Sequence, residues 1–309
     1  MSKVLFVGDV HLSPRTPSSR KDDYSETILN KVKSLLPISK QNDVSHIIFL
    51  GDLFNTKHMT LPYFIKCFQV FKELKDAGIS LHLIIGNHDI YYNSDSTMQD
   101  SPIQLLLDAD LFNNTSFTID DVYIQLVNYT TITQDLPKAP TDKYSILVGH
   151  YFFNIGFGDT EHTISKEQAE DLKYNSYMLG HDHTPYDPII LSNYSVYRPG
   201  SLSRGTSVSC QINRDEINVI LFDTITKQYT NIPLTHIISS RDVFKESNLI
   251  AKVSMSDIDE SLQELLQSLD FDNSSDIAET LNQIPMSNEI KNIVYQYLND
   301  EGVYLGGDN

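Results

Sequence analysis

Residues 3–11 read KVLFVGDVH, an apolar run that meets a glycine and is followed at once by an aspartate and a histidine. Val4 to Val7 include no polar residue, so the run reads as a buried strand. The same phrase recurs twice: residues 45–52 read SHIIFLGD and residues 79–89 read ISLHLIIGNHD. Helical patterns separate the three. Ile28, Val32 and Leu35 recur at helical spacing within 24–36, and the segment 61–78 opens with Pro62 and closes on Gly78. Strand, helix, strand, helix, strand predicts an α/β layered fold whose first sheet is largely parallel.

Further strands are predicted at VYIQLVNY (122–129), YSILVGH (144–150) and SYMLGHDH (176–183). YSVYRPG (194–200), SVSCQIN (207–213), INVILFD (217–223) and QYTNIPL (228–234) follow closely, with turn-forming NRDE and DTITK between the last of them. These predict an antiparallel meander, and the whole predicts two sheets packed together with helices outside. After about residue 240 the pattern changes. Ile258, Leu262, Leu265, Leu266 and Leu269 share one helix face, and Ile290, Ile293, Val294, Tyr297 and Leu298 share another. The predicted division is therefore a body at 1–240 and an acidic helical appendage at 241–309, which packs on the body or docks a partner protein.

The chain has 309 residues, 40% of them hydrophobic, enough for a full-sized core. Its N-terminus shows no signal-peptide pattern, and no apolar run approaches the ~20 residues of a membrane span. The two cysteines, Cys67 and Cys210, make neither a disulfide framework nor a Cys-x-x-Cys pair. The expected location is the cytoplasm, of the host cell if the gene is carried by a phage. A net charge of −18 excludes a general basic field for nucleic acid. From Arg241 onward there are 4 Lys/Arg against 14 Asp/Glu, and before it 19 against 27. The body is thus only mildly acidic, and a local basic groove on it is compatible with the composition.

Metal-type residues stand at the ends of five predicted strands: Asp9 and His11, Asp52, Asn87 and His88, His150, and His181 with His183. Each follows an apolar strand that runs into a glycine, and the C-terminal ends of strands are where open α/β sheets bind ligands. Carboxylate, imidazole and amide donors without thiolate suit Mn²⁺, Fe or Zn²⁺. Seven donors exceed the needs of one ion and suit two, which can share a bridging carboxylate and activate water for in-line attack on phosphorus. Asp52, alone at its strand end, is the expected bridge. His88 is the spare imidazole, placed to give a proton to the leaving oxygen or hold phosphate charge.

The order GDxH, GDxx, GNHD, GH, GHxH resembles the calcineurin-like metallophosphoesterase family over roughly residues 3–235. The resemblance implies a two-sheet α/β/β/α sandwich. It implies one metal on Asp9, His11, Asp52 and His183, a second on Asp52, Asn87, His150 and His181, and His88 as the catalytic histidine. Within the family, GDVHLSPRTPSSRKDDY, KDAGISLHLIIGNHDIYY and YRPGSLSR look like the SbcD-type nuclease subunit. That likeness implies a Mn²⁺-preferring DNA exo/endonuclease of repair and recombination that forms a homodimer and works with an SbcC-type coiled-coil ATPase. Asn55 stands where some relatives carry a second histidine. With Arg198 and Arg204 it is a candidate for the substrate phosphate, and Arg15, Arg20, Lys21 and Lys57 are further loop cations for DNA phosphates. Two other readings compete: a phosphodiesterase on a cyclic nucleotide, nucleotide-sugar or lipid-linked substrate, and a binding subunit with vestigial catalysis, against which the unbroken donor set argues.

Overall fold

The structure, a computed structural model, describes residues 2–245 except 58, 92–94, 155–160, 206–208, 213, 215 and 236. The predicted appendage therefore lies outside the described residues beyond its first five positions. The chain begins with β1 (Lys3–Val7), α1 (Tyr24–Lys33), α2 (Leu35–Asn42), β2 (His46–Phe49), α3 (Leu61–Asp76) and β3 (Ser80–Leu83). It continues with α4 (Pro102–Asp108), β4 (Phe117–Ile119), β5 (Val122–Val127), β6 (Tyr144–His150), β7 (Phe152–Phe153), β8 (Thr163–Ile164), α5 (Lys166–Leu172) and β9 (Ser176–Gly180). It closes with β10 (Tyr186–Ile190), β11 (Ser195–Arg198), β12 (Asn218–Asp223) and β13 (Tyr229–Pro233).

The strands form a five-stranded sheet in the order β13-β12-β1-β2-β3, a six-stranded sheet in the order β10-β11-β9-β6-β5-β4, and the small pair β7-β8. Alternation along the strands assigns each side chain to a layer. Val4, Phe6 and Ile48 from the first sheet meet Ile124, Ile146, Val148 and Met178 from the second in a core between the sheets. Leu5, Val7, Ile47 and Phe49 face the other way, onto helix residues such as Ile28, Val32, Phe71 and Ile103. Leu147, Tyr177 and Leu179 pack toward Ala169 and Leu172 of α5 on the far side of the second sheet. This is the α/β/β/α sandwich. Both faces of the central strands are buried, which is why their sequences read as unbroken apolar runs.

Several expectations change. The helix expected over 24–36 is two helices meeting at Ser34. The four-strand meander reduces to one hairpin, β12–β13, while β11 joins the second sheet parallel to β9. SVSCQIN contains a helical turn at Ser209–Ile212 in place of the expected strand. Its polar side chain Gln211 is buried against the 181–183 loop, and such tertiary contacts override β-propensity. Edge strands β4 and β10 were not foreseen. The second contains Pro188, which an edge tolerates because no ladder donor is lost.

Candidate metal centre

Strands β1, β2 and β3 run parallel to one another, and so do β5, β6 and β9. Their C-terminal ends deliver every ligand expected from the sequence. Asp9 and His11 follow β1, Asp52 follows β2, and Asn87 and His88 lie in a 3₁₀ turn after β3. His150 ends β6, and His181 and His183 follow β9. The backbone is bent to achieve this. His11, Asp52 and His181 have φ of 53°, 47° and 84°, a left-handed region that costs a non-glycine residue roughly 1–3 kcal/mol. Gly51 (φ 94°) makes the turn into Asp52, and a side chain at Gly86 would collide with the Asp52 carboxylate.

Four donors converge first. Nε2 of His11 and Nε2 of His183 are 2.9 Å apart. Asp9 Oδ2 is 3.5 Å from the latter, and Asp52 Oδ2 is 3.8 Å from the former. The four ligand atoms all lie within 4.8 Å of one another. Ligands bound at about 2.0–2.2 Å around one ion sit roughly 3–3.5 Å apart, so the cluster has the size of a metal site. A second group adjoins it. His150 Nε2 is 3.1 Å from Asn87 Oδ1 and 3.4 Å from Asp52 Oδ2, and the His181 ring centroid is 4.7 Å from that of His150. Asp52 Oδ2 thus lies between His11 on one side and His150 on the other.

The donors fit a divalent cation. Nδ1 of His150 donates to the Leu50 carbonyl at 2.8 Å, which leaves Nε2 turned toward two oxygens, Asn87 Oδ1 and Asp52 Oδ2. A neutral ring would bring three acceptors together there. A positive charge resolves that clash, whether a proton or a metal ion. Burial disfavours the imidazolium, yet Asp52 and Asp9 outweigh it and hold the His150 pKa up to about 10. Burial pushes Asp9 up to about 8, against His150 and with the repulsion of Asp52. Asp52 is held well below the usual range, because His150, His88 and His11 outweigh its burial. Burial keeps His11 and His181 far below their ordinary values and lowers His183 to about 4. Three imidazoles are therefore neutral at pH 7, the charge state in which a ring coordinates a cation, and an ion would displace the proton on His150.

His88 borders this cluster. Its backbone N–H donates to Asp52 Oδ1 at 2.9 Å, its Nδ1 lies 3.1 Å from the Asn55 carbonyl, and its ring centroid is 5.0 Å from that of His11. Asn55 therefore adjoins the site, through its backbone. Arg198 sits over the Tyr186 ring at 3.8 Å, and its guanidinium is 3.6 Å from Asp182, between the two histidines of the 181–183 loop. Arg204 is elsewhere. It is 0% exposed, and its guanidinium donates to the carbonyls of Arg214 and Ile238 and to Ser240 Oγ. The expectation of a phosphate contact there is corrected: the group is occupied inside the protein. Arg20 is also buried, bound to Asp22 and to the Arg204 carbonyl. Lys57 lies over the Tyr91 ring, Lys21 donates to the Arg241 carbonyl, and Arg15 is exposed.

Two supporting residues escaped the sequence reading. The buried Asp89 carboxylate accepts from Leu53, Phe54 and Gly86 N–H at 3.3, 3.0 and 3.0 Å, tying the Asp52 loop to the Asn87 turn. Burial pushes its pKa up to about 7. Its signal was present, since an acid three residues after Gly86 occupies a capping position. Tyr129 packs edge-on to His150 and tilted against His181, at 5.8 and 5.5 Å. A contact so remote in sequence leaves no local trace.

Comparison with known proteins agrees with this geometry. Residues 2–185 match the family described as calcineurin-like phosphoesterase. Exonuclease subunit 1 of Enterobacteria phage T4 is 26% identical over 248 residues, spanning 75% of this chain and 67% of that protein. The DNA double-strand break repair protein Mre11 of Haloferax volcanii is 28% identical over 92 residues, 29% of this chain and only 20% of that protein. A dimetal phosphatase from Danio rerio aligns in structure over 76% of this chain and 99% of its own, with 11% identity and a TM-score of 0.46, too low to bear on fold or chemistry.

Proposed function

The chain belongs to the calcineurin-like phosphoesterase family and is a metal-dependent phosphoesterase, and from that premise we propose that it is a DNA exo/endonuclease of repair and recombination. The observation that carries the metal chemistry is the position of Asp52 Oδ2, 3.8 Å from His11 Nε2 and 3.4 Å from His150 Nε2. Asp9, His11 and His183 with Asp52 hold one divalent ion in this reading. Asn87, His150 and His181 with Asp52 would hold the other; the family resemblance makes Mn²⁺ the proposed metal, and the donors also suit Fe or Zn²⁺. Bound there, the ions supply an activated water and neutralise phosphate charge. His88 donates its Nδ1 hydrogen to the Asn55 carbonyl and uses Nε2 to protonate the leaving oxygen. Asn55, Arg15, Lys57 and Arg198 hold backbone phosphates beside the site.

The nuclease reading rests on the two relatives named as an exonuclease subunit and a break-repair protein. By the family resemblance the partner is an SbcC-type ATPase and the location is the cytoplasm of the cell or phage host; segment 241–309, whose amphipathic faces suit either packing on the body or a partner protein, is the candidate docking element. Leu61 and Ile65 on α3 and Leu105 on α4 are 67%, 46% and 56% exposed, which supports a homodimer closed through these helices. Among the described residues no helix is long and apolar enough to cross a membrane.

The test is digestion of blunt linear duplex and of single-stranded DNA with Mn²⁺, Mg²⁺ or EDTA, with His88→Ala prepared identically. Mn²⁺-dependent DNA loss that vanishes in the variant supports the nuclease. Hydrolysis of bis-p-nitrophenyl phosphate and cyclic nucleotides without DNA cleavage would instead select a small-molecule phosphodiesterase acting without a partner.

A further inference from the structure

We infer that Gln211 is a positioning residue for His183. It orients the imidazole through Nδ1 so that Nε2 faces the metal site, while Arg214 fixes the backbone of the same residue. The inference rests on the metal reading given above and adds to it a part of the chain outside the family match, which ends at residue 185.

Nε2 of His183 is the atom that meets His11 and Asp9. In a neutral ring that leaves Nε2 unprotonated, the hydrogen sits on Nδ1 and needs an acceptor. Ligating histidines almost always give that hydrogen to a carbonyl, carboxylate or water, which fixes tautomer and ring angle. His150 does so with the Leu50 carbonyl at 2.8 Å. At His183 the group beside Nδ1 is the side-chain amide of Gln211, 2% exposed, with its nitrogen 3.4 Å away. A half-turn of the amide exchanges nitrogen for oxygen without moving any other atom, and that orientation accepts the Nδ1 hydrogen. His11 offers a contrast, because its buried Nδ1 has no hydrogen-bond partner.

Three residues further on, the buried Arg214 guanidinium spans the turn that carries the ring. It donates to the carbonyls of Ser201 at 2.5 Å and Pro199 at 3.3 Å, and reaches the His183 carbonyl at 3.5 Å. Ser201 N–H donates to that same His183 carbonyl at 3.1 Å, and Leu202 N–H donates to the Asp9 carbonyl at 2.8 Å. One short segment thus holds His183 by its ring and by its peptide. The two contacts account for a buried glutamine where a strand was expected and a buried arginine where a turn was expected.

The experiment is calorimetric titration of the full-length metal-free protein with Mn²⁺ alone, for wild type, Gln211→Leu and Gln211→Glu. Melting of the metal-free forms serves as the check on folding. Gln211→Leu is expected to lose about 10- to 100-fold in affinity for one of two ions, with the other and the metal-free melting temperature held. Gln211→Glu, a stronger acceptor for the same hydrogen, is expected to bind that ion at least as tightly as wild type. A merely structural role would lower the melting temperature and treat both ions alike. Wild-type affinity in Gln211→Leu, or weakened binding in Gln211→Glu, would overturn the inference while leaving the metal site standing. Failure of the wild type to bind any Mn²⁺ would overturn the metal reading and this inference with it.

Discussion

Replacing Arg204 with methionine separates a structural arginine from a substrate-binding one. Methionine keeps most of the aliphatic stem and removes the guanidinium. That leaves the carbonyls of Arg214 and Ile238 and the Ser240 hydroxyl without their buried donor. Charge-assisted hydrogen bonds contribute about 1.5–3 kcal/mol each, so three come to roughly 5–9 kcal/mol. Burial of the guanidinium opposes this by several kcal/mol, and the net loss is about 3–4 kcal/mol. For a body of this size each kcal/mol moves the melting temperature by about 2–4 °C, so a drop on the order of 10 °C is expected. KM for a phosphodiester substrate should stay near wild type in the fraction that remains folded. Arg198→Met is the counterpart. Its guanidinium makes one 3.6 Å ion pair and one ring contact, so stability should hold while KM rises several-fold. Scanning calorimetry and initial rates on the same preparations decide the matter. An Arg204→Met protein that melts within about 2 °C of wild type and shows a raised KM would refute the structural assignment.

Three further outcomes follow from the geometry. Asp89→Ala orphans the Leu53, Phe54 and Gly86 amides and should cost about 3 kcal/mol; amide hydrogen exchange should show Leu53 and Phe54 losing protection ahead of the sheet strands. Asp52→Asn removes the charge shared by both donor groups, so Mn²⁺ titration should fall from two ions to one or none, and two ions bound at unchanged affinity would deny the bridge. The third concerns pH. Burial, with His46 3.0 Å away, lowers the His82 pKa to about 3, below the ordinary value of about 6.5. Below pH 6.5 the unfolded chain takes up a proton that the fold refuses, so this contribution is complete above 6.5 and is lost as pH falls toward 3. The slope is up to about 1.4 kcal/mol per pH unit, and urea titrations in EDTA should find it shallower in His82→Leu. Equal slopes would deny the burden on His82.

The candidate ligands were legible because each stands beside a feature with its own signal. An apolar run predicts a buried strand, a glycine predicts its abrupt end, and a carboxylate or imidazole next to that glycine is at a strand terminus before any tertiary contact is known. What had no such anchor was misread or missed. Val208 and Cys210 suggested a strand, but the segment is decided by Gln211 and Arg214, whose partners at His183, Ser201 and Pro199 are fixed only once the second sheet has formed. Arg204 stood near a motif and was therefore expected at a phosphate, since proximity in sequence says nothing of whether a guanidinium faces water or carbonyls. The same limit applies to the backbone strain at the site. Nothing in the letters marks His11, Asp52 and His181 as left-handed, because that conformation is imposed by bringing two sheets' ends to one point. A sequence records which atoms can bind a metal; the groups that aim those atoms belong to the fold, and Gln211 is where that distinction is open to measurement.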